Sequence, residues 1–125
     1  MQKKLAYIAS RLRAYDQTSM QTNVERAVLY ERWAYGSGYN PFTPHLAYAR
    51  FLDDTVSEER DDAMAMGLAM LERMDTMLVF TYDEISSGMH GEIIHAAKCG
   101  IKPQYIPKEI VQMIAHGMNP KRRND

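Results

Sequence analysis

The chain has 125 residues, 46% of them hydrophobic and 25% charged, with a formal net charge of -1. That is room for one domain with a real core; it excludes wholesale disorder and argues against a nucleic-acid binder relying on a strong basic field. A lone cysteine, Cys99, excludes an intrachain disulfide, and no run approaches the roughly 18 apolar residues of a membrane-spanning helix.

Leu5 to Ala9 is a short apolar run and reads as a buried strand. It is too short for the apolar part of a signal peptide, so the expectation is a cytoplasmic protein. Ser10 to Gln21 has no clean period and reads as a loop. Thr22 and Glu25 have capping-box spacing, and Val24, Ala27, Val28, Leu29, Ala34 and Tyr35 follow in a helical pattern that Gly36 and Gly38 stop. Tyr39 to Thr43 is a second strand, closed by Pro44, and His45 to Phe51 gives a turn or two of helix. Asp53 to Asp62 reads as a solvated, acidic helix start, with Thr55 and Glu58 as a second cap. Met64, Leu68, Leu71 and Met74 then recur at helical spacing. Thr76 to Phe80 is a third strand. Gly88 to Lys98 is a helix with Ser87 as N-cap, ended by Gly100. Ile101 to Ile106 is a fourth, weaker strand. Pro107 opens a last helix whose apolar face is Ile110, Val111 and Ile114. A domain over residues 1–118 and a charged tail over 119–125 are expected.

Strands and helices alternate, which points to an α/β fold built on a parallel sheet covered on both faces. Ligands of open sheets of this kind bind outside the carboxyl ends of the strands. That rule selects Ser10 to Arg13, Thr43 to His45, and Thr81 to Glu92.

Met89, Ile93 and Ala96 form the apolar stripe of the Gly88–Lys98 helix, and Glu92 sits at its edge, in the first turns. The helix N-terminus favours the ionised carboxylate, and burial opposes it. Otherwise Glu92 is a solvated helix-start glutamate. Asp75 precedes the third strand, where a turn aspartate is the ordinary reading. Arg11 and Arg13 beside Ser10 suit a phosphate or are two solvated loop charges. His90, Glu92 and His95 do not converge on one ion, because His90 points ~160° away from Glu92. No glycine-rich phosphate fingerprint follows the first strand. Cys99 has no evident base nearby and reads as a small packing residue. The ten methionines mostly fall on apolar faces and are expected to pack the core or line a subunit interface.

Three segments together resemble the nucleoside 2-deoxyribosyltransferase superfamily, which includes 2'-deoxynucleoside 5'-monophosphate N-glycosidases. They are Lys4 to Ser10 with Tyr7, Met74-Asp75-Thr76-Met77-Leu78-Val79, and Ser86-Ser87-Gly88-Met89-His90-Gly91-Glu92-Ile93. The resemblance spans about residues 4 to 106. It implies a flavodoxin- or Rossmann-like sheet of four to five strands. It implies cleavage or exchange of the N-glycosidic bond of a deoxynucleoside or its monophosphate. Glu92 matches the nucleophile, Asp75 the acid that protonates the departing base, and Tyr7 the residue that orients the carboxylate. The resemblance implies that Ser86 and Ser87, with Ser10 and Arg13, meet a 5'-phosphate; with the strand-end rule, Ser10, Arg11, Arg13, His45, Ser86, Ser87, Gly88 and Met89 are the expected substrate-binding set. Ser86, six residues before Glu92, matches the serine of the monophosphate hydrolases. His90 and the Ser10-Arg11-Leu12-Arg13 loop depart from the family pattern. The resemblance implies no metal, no cofactor, a small-molecule nucleoside or nucleotide as partner, and a homodimer or larger homo-oligomer. A protein of the same fold that binds or sequesters a nucleotide without turning it over is the alternative.

Overall fold

The computed structural model describes residues 2–14 and 16–120. The chain forms β1 (Lys4–Ala9), α1 (Gln17–Gly36), β2 (Tyr39–Phe42), α2 (Pro44–Tyr48), α3 (Ser57–Leu71), β3 (Thr76–Val79), α4 (Ser87–Lys98), β4 (Pro103–Tyr105) and α5 (Lys108–Ala115). The four strands make one parallel sheet in the order β2-β1-β3-β4. This is a Rossmann-like α/β arrangement.

Strand alternation decides which side chains meet which helices. On β1, Ala6 and Ile8 face one way and Tyr7 and Ala9 the other; on β3, Leu78 and Met77 divide likewise. Ala6, Ile8, Leu78 and Phe80 pack under α1 and α5, against Tyr30, Trp33, Ala34, Val111 and Ile114. Tyr7, Ala9, Met77 and Val79 pack under α3 and α4, against Leu71, Met89 and Ala96. Both faces of the two central strands are therefore buried, and their sequences read as near-continuous apolar runs. On the α1 side, Phe80 stacks on Tyr30 with ring centroids 4.7 Å apart and meets the edge of Trp33 at 5.8 Å.

The sheet order reverses between β1 and β3, because β1 connects outward to β2 and β3 continues toward β4 on the opposite side. A crevice opens at such a point, at the carboxyl ends of the strands. The loops after β1, β2 and β3 all reach it.

Several boundaries differ from the sequence reading. The segment expected as a loop up to Gln21 is helical from Gln17. Asp16 is the N-cap, and its carboxylate accepts the Ser19 N–H at 2.7 Å. Thr22 lies inside α1, donating to the Thr18 carbonyl, so it caps nothing. The first turns of α1 face water, and their polar residues carry no apolar period. The Thr55–Glu58 cap is also absent: Thr55 folds back on Asp53 through both its N–H and its hydroxyl, and α3 begins at Ser57. The N-cap of α4 is Ser86, not Ser87; its hydroxyl accepts the Met89 N–H at 3.2 Å. The weak fourth strand shortens to Pro103–Tyr105. Of the methionines, Met74, Met77 and Met89 are buried, while Met64, Met66 and Met118 are exposed. Of the expected tail, residues 121–125 lie outside the described residues. Among the described residues no helix is long and apolar enough to cross a membrane.

The Phe80 cluster generates a stability prediction. Phe80→Ala leaves a void between Tyr30 and Trp33 and costs about 3–5 kcal/mol, read as a lower urea midpoint with unchanged slope.

Candidate active site

The crevice at the carboxyl ends of the strands holds a cavity of about 360 Å³. Its floor is β1 and the start of α4, one wall is the loop after β1, and the other is α2 with the inner face of α3. Tyr7, Ser10, Arg11, Arg13, His45, Ser86, Ser87, Gly88, Met89 and Glu92 all line it. Ten of the eleven residues singled out in the sequence thus surround one space.

Tyr7 and Glu92 form its centre. Tyr7 is fully buried on β1, between Phe42 of β2 and Met77 of β3. Its hydroxyl donates a hydrogen bond to Oε2 of Glu92, one turn into α4. α3 passes over the hydroxyl at Gly67. A β-carbon there would sit 3.4 Å from the Tyr7 oxygen and 3.6 Å from Pro44. Both are ordinary van der Waals distances, so α3 passes close over the pair at this position without strain.

Burial dominates the electrostatics of the pair. It pushes the Glu92 carboxyl up to about 7, while the Tyr7 hydrogen bond pulls the other way and stabilises the anion. Burial and the neighbouring carboxylate together push the Tyr7 phenol far above its ordinary value, so it remains a donor. Among the described residues no arginine forms an ion pair with Glu92. Arg11 pairs with Glu84 and Arg13 with Asp54, each at 3.7 Å.

The polar end of the cavity is built from loops. The Nε2–H of His45 donates to the Ser10 carbonyl at 2.7 Å, since a carbonyl can only accept. Burial holds the His45 imidazole below its ordinary value and so keeps it neutral. The bond ties the loop after β1 to the start of α2. The Ser10 side chain is buried, and its hydroxyl has no hydrogen-bond partner among the described residues. A buried hydroxyl left unpaired costs free energy, and a ligand polar atom would recover it. Ser86 and the first turn of α4 also line the cavity; Ser86 caps the Met89 amide, and helix geometry leaves the Ser87 and Gly88 amides without intrahelical acceptors.

Asp75 is the exception. It precedes β3 and so lies at the amino edge of the sheet, about 16 Å along the strand from Phe80 at the usual rise per residue. It is exposed and accepts the Leu5 N–H at 2.8 Å, while its own N–H donates to the Leu5 carbonyl at 2.9 Å. It joins the beginnings of β1 and β3 and does not line the cavity. The role of base-protonating acid does not fit that position.

The sequence reading missed most of the second wall. Tyr48 and Leu52 line it from α2 and the loop beyond, and Asp54, Glu59, Arg60, Met64, Gly67 and Leu68 from the α3 side. The acidic run read as solvated is divided: Asp61 and Asp62 face water, whereas Asp54 and Glu59 are half-buried at the cavity. The Met64-Leu68-Leu71 spacing marked the inner face of α3, on which Met64 and Leu68 reach the cavity and Leu71 the core.

Residues 4–106 match the model of a domain of unknown function, DUF7768. The chain belongs to this family. No curated protein matches it. Among solved structures it is similar to the 2-deoxyribosyltransferase of the psychrotolerant bacterium Bacillus psychrosaccharolyticus. The TM-score is 0.63 at 14% identity, over 86% of this chain and 79% of that one. At that identity the likeness is one of fold, and this DUF7768 chain shares the sheet and its helical layers with the transferase.

Glu92 also makes stability depend on pH. The folded carboxyl holds its proton up to about 7, against an ordinary value of 4.5. The stabilisation this gives is complete below the ordinary value and is lost as pH rises through about 7. Urea midpoints of the wild type therefore fall across that window. In Glu92→Gln, which keeps the shape and cannot ionise, this component of the fall is absent.

Proposed function

We propose that the protein breaks the N-glycosidic bond of a 2'-deoxynucleoside or its 5'-monophosphate, with Glu92 as the nucleophile. The observation that carries this reading is the part-buried Tyr7–Glu92 hydrogen bond on the floor of a cavity that can hold a small molecule. A carboxylate held away from water and aimed by a neutral donor is suited to a developing sugar cation, because its charge is little screened there. The fold shared with a 2-deoxyribosyltransferase supports the same chemistry.

In the proposed reaction an oxygen of Glu92 bonds to C1' of the sugar while the bond from C1' to the base nitrogen breaks. The electron pair of that bond leaves with the base, which takes up a proton. Water, or a second base, then attacks C1' from the other face and releases Glu92 as carboxylate, the attacking group's proton passing to the acid that was deprotonated when the first base left. Water makes the protein a hydrolase, and a second base makes it a transferase. Tyr7 orients the carboxylate and tempers its basicity. The acid for the departing base is sought on Asp54 and Glu59, the two other carboxyls that line the cavity.

A 5'-phosphate is the group we assign to the polar end. Ser10, with its unpaired hydroxyl, Ser86 and the α4 amides supply neutral donors there. Arg11 and Arg13 supply charge at the rim. The apolar wall of Tyr48, Leu52, Met64 and Leu68 suits the flat face of a base.

The displacement of Asp75 favours a second reading, in which the cavity holds a nucleotide without turning it over. One experiment separates the two. Each deoxynucleoside and its monophosphate is incubated with the protein, with and without an acceptor base, and free base is measured by chromatography. Under the catalytic reading base is released, and Glu92→Ala lowers the rate by at least ~10³-fold, the scale of losing a nucleophile. Nucleotide binding by calorimetry without any base release would establish the second reading.

The pH profile follows from the same pair. The nucleophile acts as an anion, so kcat/KM rises with pH through about 7. Tyr7→Phe removes the stabilising donor and moves that limb to higher pH.

A further inference from the structure

The helices that frame the cavity also meet at their other ends. α3 leads into β3 and α4 into β4, so both carboxyl termini lie at the amino edge of the sheet, remote from the cavity. Glu92 and Cys99 are separated by about 10 Å along α4 at the helical rise. At this edge Glu72 is the C-cap of α3, His95 stands in the last turn of α4, and Cys99 is its C-cap. His95 and Cys99 are four residues apart and so share one face of the helix. One oxygen of Glu72, one nitrogen of His95 and the sulfur of Cys99 all lie within 4.8 Å of one another.

Three further observations bear on what this cluster can do. First, His95 Nε2 and Glu72 Oε2 are already 2.8 Å apart, so the imidazole and the carboxylate point at one another across the helix–helix contact. Second, Cys99 is an exposed free thiol, open to solvent and to ions. Third, two helix carboxyl termini converge here, and their unpaired carbonyls favour a positive charge.

We propose that Glu72, His95 and Cys99 bind a single Zn²⁺ ion, with a fourth position left to water. The donor set decides the metal. A thiolate and an imidazole beside one carboxylate suit zinc, whereas magnesium and calcium take oxygen ligands. At zinc bond lengths, ligand atoms at the corners of a tetrahedron are about 3.4–3.6 Å apart. Glu72 and His95 separate slightly to admit the ion, and the thiol, within 4.8 Å of both, closes in by side-chain rotation. On binding, Cys99 releases its proton to solvent and its sulfur lone pair forms the bond to the metal. His95 Nε2, which carries the hydrogen shared with Glu72 when no ion is bound, loses it to solvent while Nδ1 takes one up, so that Nε2 presents a bare lone pair to the metal. Nothing is oxidised or reduced. The site is separate from the cavity and does not rest on the glycosidase reading.

The full chain, stripped with chelator and reduced, is titrated with Co²⁺ as a coloured stand-in for zinc. The expected result is a thiolate-to-cobalt charge-transfer band that saturates at one ion per chain and is bleached by Zn²⁺. Cys99→Ser abolishes the band. His95→Ala and Glu72→Gln each weaken binding by at least about tenfold. Glu92→Ala binds as the wild type does. A missing band overturns the site. So does a band that His95→Ala leaves unchanged, which would reduce it to a bare thiol. Saturation at half an equivalent would also overturn it, since two chains would then share the ion through Cys99. Circular dichroism of each variant separates loss of a ligand from loss of the fold.

Discussion

Burying a carboxyl group is expensive, and the arrangement around Glu92 is organised by that cost. A solvated glutamate at the start of a helix is stabilised by water and by the helix amides. Here the side chain turns inward, loses most of its water and receives one strong donor, the Tyr7 hydroxyl. That donor is fixed in place because Tyr7 belongs to a strand paired on both sides, with Phe42 and Met77 as its neighbours in register. The strand cannot shift by one residue without turning Tyr7 to the opposite face and Ile8 toward the cavity. Sheet register and the protonation of Glu92 are therefore linked through one phenol.

The same cost explains the surroundings. Gly67, Met64 and Leu68 of α3 line the cavity together with the carboxyl. Arg11 and Arg13, which line the cavity, are engaged with Glu84 and Asp54. An arginine in contact would have held Glu92 ionised at all ordinary pH. Its absence from the contact leaves a group that changes charge near neutrality, a property useful to a nucleophile whose neighbours must exchange protons with a leaving group.

Much of this was legible in the residues. The run Leu5 to Ala9, the alternation of strands and helices, and the rule that ligands sit at the carboxyl edge together located Ser10, His45 and Glu92 before any coordinates. What failed did so for physical reasons. Asp75 was matched by its place before an apolar strand, yet a residue before a parallel strand belongs to the amino edge. Strand direction alone would have warned against it. Asp54 and Glu59 were hidden in a run of like charge, where nothing local distinguishes an inward carboxylate from an outward one. The start of α1 was missed because Thr18 to Gln21 carry no apolar period, although Asp16 was a suitable cap three residues before Ser19. The meeting of Glu72 with His95 and Cys99 depends on how two helices lie side by side, and spacing along one chain does not encode that.

Trp33 is the sole tryptophan of the chain and sits under α5, on the face of the sheet opposite the cavity. Its indole donates to the carbonyl of Pro120 at 2.6 Å, and Phe80 meets its ring edge-on. The protein thus carries an internal fluorophore insulated by the whole thickness of the sheet from whatever occupies the crevice. Its emission reports on the contact between Trp33 and Pro120, and a chromophore introduced on the other side would be needed to see a guest arrive.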